Sequence, residues 1–127
     1  PVQLVLGVTV LTSMDDTALV ETGCAGTVAE HVERLAMLAV KAGLRGLVCS
    51  PLELARLRRG VPPPVQLVTP GIRGATDAVG DQKRTLSAPE AMAAGANWLV
   101  IGRPIYAAEN PRVAAEKIRA SLTESKP

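Results

Sequence analysis

The sequence contains no phenylalanine and only one tryptophan (Trp98), one tyrosine (Tyr106) and one histidine (His31). With so few rings there is no platform on which bases stack. A formal charge of +2 is also too small for a surface that tracks a phosphate backbone, so a nucleic-acid partner is not expected. A lone histidine removes most Ser-His triads and multi-histidine zinc sites, and His31, on an expected helix, reads as a surface residue. Cys24 and Cys49 form no CxxC pattern and read as reduced thiols. No apolar run is long enough to cross a bilayer and no signal-peptide pattern is recognisable. The expectation is a cytoplasmic protein without a membrane partner.

What is present is aliphatic. Hydrophobic residues make up 47% and charged residues 20% of 127 residues, enough for one packed domain or part of one, filled by Val, Leu, Ile and Ala. Short apolar runs alternate with helical patterns. Residues 2–10 (VQLVLGVTV) read as a first strand, and Ser13 with Asp16 as the cap of a short helix through Val20. Thr27 and Glu30 fit a capping box. The helix behind it puts Val28, Val32, Leu35, Ala39 and Ala42 on one face and stops at Gly43. Residues 46–49 (GLVC) read as a second strand. Ser50 and Glu53 form a second box, with Pro51 at the first helical position, and that helix ends at Gly60. Residues 65–69 (VQLVT) are the third strand, followed by a long polar loop over 70–86. Ser87 and Glu90 form a third box, its helix stopping at Gly95. Residues 98–101 (WLVI) are the fourth strand, and Asn110-Pro111 opens a last helix with Val113, Ala114, Ile118 and Leu122 on its apolar face. Residues 42–48 and 94–100 echo one another as helix stop, turn and buried strand.

This order is four consecutive βα units, an α/β fold with parallel strands. Strands apolar throughout imply burial on both faces. The pattern leaves two architectures open, a doubly wound sheet or half of an eight-stranded barrel. In either, chemistry gathers at the carboxyl ends of strands. There the sequence places Thr12 and Ser13, then Cys49-Ser50, then Gly71-Ile72-Arg73 with Gly80-Asp81-Gln82, then Gly102-Arg103. Glycine lets backbone amides approach a phosphate and arginine meets it with a planar fork, so Arg73, Gln82, Gly102 and Arg103 are the candidate phosphate ligands. Lys83 and Arg84 read as solvated. Arg56, Arg58 and Arg59 fall at a helix C-terminus, where positive charge favours the helix dipole. Glu30, Glu53 and Glu90 are committed to caps. No paired carboxylates, strand-end Lys-Asp pair or metal-ligand cluster is visible, so no catalytic or metal residue is assigned.

At these same positions the sequence resembles the bacterial orotidine-5′-phosphate decarboxylases. The anchors are Val8-Thr9-Val10-Leu11-Thr12-Ser13, Val48-Cys49-Ser50, Val68-Thr69-Pro70-Gly71-Ile72-Arg73 with Gly80-Asp81-Gln82-Lys83-Arg84, and Val100-Ile101-Gly102-Arg103-Pro104-Ile105. The resemblance implies that residues 1–127 are the carboxy-terminal half of a single (β/α)8 TIM-barrel domain, strands five to eight. It implies decarboxylation of orotidine 5′-monophosphate to UMP and CO2 in de novo pyrimidine biosynthesis, without metal or organic cofactor. Thr12 and Ser13 would contact the pyrimidine and Arg73, Gln82, Gly102 and Arg103 the phosphate. The family's Asp-x-Lys-x-x-Asp array lies on early strands that would precede Pro1, so the chain alone is expected to be inactive. Full-length subunits pair as homodimers, and the isolated half-barrel is expected to self-associate through open edges. Two alternatives remain: a non-catalytic nucleotide-phosphate-binding half-barrel, or another phosphate-binding barrel enzyme.

Overall fold

The computed structural model describes residues 3–74 and 85–124. Four parallel strands, β1 (Leu6–Val8), β2 (Gly46–Val48), β3 (Gln66–Thr69) and β4 (Trp98–Leu99), form one sheet in sequence order. Helices α1 (Asp16–Glu21) and α2 (Val28–Lys41) connect β1 to β2. A 3-10 turn (Pro51–Glu53) and α3 (Leu54–Gly60) connect β2 to β3, and α4 (Ala88–Ala93) connects β3 to β4. Two helices follow, α5 (Arg103–Tyr106) and α6 (Pro111–Glu124). Consecutive strands are neighbours because each helical crossover returns the chain one strand along.

All three capping boxes form. The Thr27, Ser50 and Ser87 amides donate to Glu30, Glu53 and Glu90 carboxylates at 2.9 Å each. Asn110 Oδ1 likewise accepts from the Val113 amide at 3.1 Å. The first helix differs from the sequence expectation. Its cap is Asp15, whose carboxylate accepts from the Ala18 amide at 2.9 Å, because a charged acceptor binds a helix N-terminus more strongly than the Ser13 hydroxyl. The strands are shorter than the apolar runs, although single backbone bonds such as Thr9 N–H to the Val48 carbonyl and Val100 N–H to the Thr69 carbonyl continue past their ends. The short α5 was not anticipated: its four residues carry no apolar period.

The register sorts the sheet into two unlike faces. Gly7, Leu47 and Leu67 stand side by side, as do Thr69 and Leu99, on the face that the helices cover. There Leu47, Leu67, Leu54, Val32 and Ala36 are fully buried and form the core. Val8, Val48, Val68 and Trp98 share the opposite face with Leu6 and Gln66. Val8 and Trp98 are each 60% exposed on it, and Leu6 is 41% exposed. The expectation that both faces are buried is therefore corrected. Parallel sheets are normally covered on both sides, and here one apolar face is bare along its two edge strands, β1 and β4, with Val68 buried between them.

Arg58 does more than complement the α3 dipole. Its guanidinium donates to the Val65 and Gly95 carbonyls at 3.0 Å each and to Asn97 Oδ1 at 2.7 Å. His31 is half-buried rather than on the surface, with Nδ1 buried and lacking a hydrogen-bond partner among the described residues. Cys24 and Cys49 are free thiols. Among the described residues no helix is long and apolar enough to cross a membrane.

Candidate functional site

The loops leaving the carboxyl ends of β3 and β4 converge. After β3 the chain turns through Pro70 and Gly71, whose φ of 75° is a left-handed conformation that residues with a Cβ rarely adopt. That turn carries Ile72 into a single parallel bridge with Leu86, and the Arg73 amide donates to the Leu86 carbonyl at 3.0 Å. Arg73 is thereby held at both ends: its Nη1 donates back to the Ile72 carbonyl at 2.7 Å, and the residue is only 9% exposed. After β4, Gly102 stands as the N-cap of α5 and Arg103, exposed, is its first residue. The Ile105 and Tyr106 amides both donate to the Gly102 carbonyl, at 2.9 and 3.1 Å, so the carbonyl faces into the helix.

Arg73, from the loop after β3, and Pro104, the second residue of α5, line one cleft of about 420 Å³, whereas Gly102 and Arg103 are not among its lining residues. Its other walls are Ser87 and Ala88 at the start of α4 and Lys117 and Ile118 on α6. Two cations from separate elements beside mostly apolar walls suit an anion with an apolar body. Thr12 is buried and Ser13 half-buried in the loop after β1. Thr12, Arg73 and Arg103 are each already engaged by other groups of the chain. Gln82, with Gly80, Asp81, Lys83 and Arg84, lies outside the described residues. Among the described residues, no three His, Cys, Asp or Glu side chains are grouped to hold a metal.

Sequence reasoning missed Lys117. Its signal was the spacing of Ala114, Lys117, Ile118 and Ser121, which places all four on one stripe of α6. It also missed Thr69, a fully buried hydroxyl whose Oγ1 donates to the Cys49 carbonyl at 2.8 Å. Sequence gave no sign that this residue's side chain ties two strands.

A one-sheet parallel fold with an Arg-containing cleft at its carboxyl edge defines a class, that of α/β proteins built from βα units. Within that class, residues 2–118 match the model of the family described as Orotidine 5'-phosphate decarboxylase / HUMPS family, and the chain belongs to it. An orotidine 5'-phosphate decarboxylase of Opitutus terrae is 55% identical over 122 residues, covering 96% of this chain and 53% of the relative. One from Thermobifida fusca is 50% identical over 125 residues, covering 98% and 54%. The chain thus spans about half the length of the curated relatives it matches. The crystal structure of the Lactobacillus acidophilus decarboxylase superposes with a TM-score of 0.78 at 36% identity, over 94% of this chain and 49% of that one. The four βα units correspond to part of the barrel fold of these structures.

Proposed function

We propose that this chain is the carboxy-terminal half, strands five to eight, of a single-domain (β/α)8 orotidine-5′-phosphate decarboxylase, and supplies its phosphate and pyrimidine contacts. The observation that carries the reading is the shared cleft: Arg73 from the loop after β3 and Pro104, in the short helix after β4 and adjacent in sequence to Arg103, line the same space. In (β/α)8 enzymes the loops after the last two strands frequently hold phosphate.

In this reading Arg73 and Arg103 present guanidinium forks to the phosphate, with Gln82 and the Gly102 backbone as neutral partners. Thr12 and Ser13 hydrogen-bond the polar edge of the pyrimidine. The phosphate is remote from the carboxylate that leaves as CO2, so binding it orients the ring and contributes to transition-state stabilisation without touching the breaking bond. A lysine is needed to protonate the carbon that loses CO2, and the Asp-x-Lys-x-x-Asp spacing that supplies it in the family does not occur in these 127 residues. The chain alone is therefore inactive. The reaction uses no cofactor, and the whole enzyme works as a cytoplasmic homodimer in UMP biosynthesis. The bare face carrying Leu6, Val8 and Trp98 drives self-association when nothing else covers it.

Titration of the chain with UMP and with ribose 5-phosphate tests the reading. Tighter binding of UMP, weakened by Arg73→Ala and by Arg103→Ala, supports it. Equal weak binding of both ligands sinks the pyrimidine assignment.

A further inference from the structure

Thr69, the last residue of β3, has no exposed surface, and no ligand reaches it directly. A valine has nearly the same shape and no hydroxyl to desolvate. A threonine at a fully buried position is favoured only where its hydroxyl is hydrogen-bonded. The Thr69 hydroxyl is: Oγ1 donates its one proton to the Cys49 carbonyl at 2.8 Å, with the Pro70 carbonyl at 3.2 Å as the second direction. The backbone of the same residue extends the tie, since its carbonyl accepts the Val100 amide at 2.9 Å.

Thr69 therefore joins the carboxyl ends of three strands at one point. Cys49 follows β2. Pro70, next in the chain, starts the turn that ends at Arg73. Val100 starts the segment that ends at Gly102 and Arg103. Ordinary strand pairing accounts for the two bonds of the backbone, Val100 to Thr69 and Cys49 to Val68 at 3.1 Å. It does not account for the side-chain bond, which lies where the strands end and the two converging loops begin.

We infer that Thr69 is a positioning residue for the anion grip: its hydroxyl anchors the end of β3 and the Pro70 turn to the end of β2, and so holds Arg73, at the end of that turn, in place relative to the Gly102-Arg103 segment, which the Thr69 backbone carbonyl holds through Val100. The inference rests on the phosphate reading above for its ligand. It stands on geometry alone for its effect on the loop. A grip made of groups from two loops depends on their separation, and a displacement of about 1 Å costs much of the binding that both make together.

The test compares the wild-type chain with Thr69→Val, which keeps the shape and loses the hydroxyl, and Thr69→Ser, which keeps the hydroxyl. UMP and uridine are titrated into each, and amide hydrogen exchange is followed at Arg73 and Val100. The expected result is that Thr69→Val weakens UMP about tenfold while uridine binding is unchanged, and that Arg73 exchanges faster, with Thr69→Ser near wild type in both. Equal loss of UMP and uridine, or UMP binding unaltered in Thr69→Val, overturns the assignment by leaving Thr69 a merely structural tie. A wild-type chain that binds neither ligand contradicts the phosphate reading instead. Exchange at Arg73 then decides the positioning, and an unchanged rate in Thr69→Val overturns it.

Discussion

Asn97 Oδ1 accepts two hydrogen bonds at once, from Arg58 Nη2 at 2.7 Å and from the Leu67 amide at 2.8 Å. Through this atom the end of α3, the start of β3 and the start of β4 are joined at the amino-terminal edge of the sheet, opposite the candidate site. Residues at that end of βα folds maintain stability rather than chemistry.

Arg58→Ala leaves the Val65 and Gly95 carbonyls and Asn97 without their shared donor. It is expected to lower unfolding free energy by about 2–3 kcal/mol, the scale of a hydrogen-bonded charge, read from urea denaturation. Arg58→Lys recovers little, because an ammonium on a single stem does not meet three acceptors in the plane of a guanidinium.

Gly95 and Gly43 give a matched pair. Both stop helices with left-handed backbones, φ 109° and 93°. A Cβ at Gly95 would lie 3.2 Å from Arg58 Cγ, whereas one at Gly43 meets nothing within 4 Å. Gly43→Ala is expected to cost about 1 kcal/mol for backbone strain alone, and Gly95→Ala more, because it also pushes on the clamp. Equal midpoints in thermal melts of the two variants would show that the contact with Arg58 is immaterial.

Acid should unfold the chain partly through its caps. The Thr27 backbone and side-chain hydrogen bonds hold Glu30 below the usual carboxylate range, and Ser87 does the same for Glu90, its side chain first and its backbone second. A depressed folded value means the stabilisation is complete at neutral pH and is lost as pH falls through the folded pKa, from about pH 5 downward. Thermal midpoints of Glu30→Gln/Glu90→Gln measured from pH 7 to pH 3 should fall less steeply than those of the wild type. Parallel curves would rule out this contribution.

Val8→Lys and Val100→Lys act on residues that are 60% and 53% exposed and should leave folding nearly unaltered. If the bare sheet face drives association, these changes lower the sedimentation coefficient toward that of a monomer. Unchanged sedimentation of an associated wild type would place the contact elsewhere.

Much of this architecture was legible because it is written locally. Thr27, Ser50 and Ser87 signal caps through residues three positions away, and Gly43 and Gly95 mark stops through conformations open mainly to glycine. What was not legible depends on contacts distant in the chain. Arg58 meets Asn97 across 39 residues and Thr69 meets Cys49 across 20, and neither pair leaves a pattern in the sequence. The bare face was misjudged for the same reason. Apolar strands announce burial, and only the sheet shows which side is covered. At the candidate site, Arg73 was readable as a strand-end residue, while Lys117 enters from a helix whose packing local periodicity does not specify.

The proposal that Arg73 and Arg103 grip the phosphate of a pyrimidine nucleotide is tested most directly by calorimetric titration of the chain with UMP. The predicted result is saturable binding, stronger than that of ribose 5-phosphate and weakened about tenfold or more by either Arg73→Ala or Arg103→Ala, as expected for loss of a charged hydrogen-bond donor. UMP binding that is unaffected by both substitutions would contradict it.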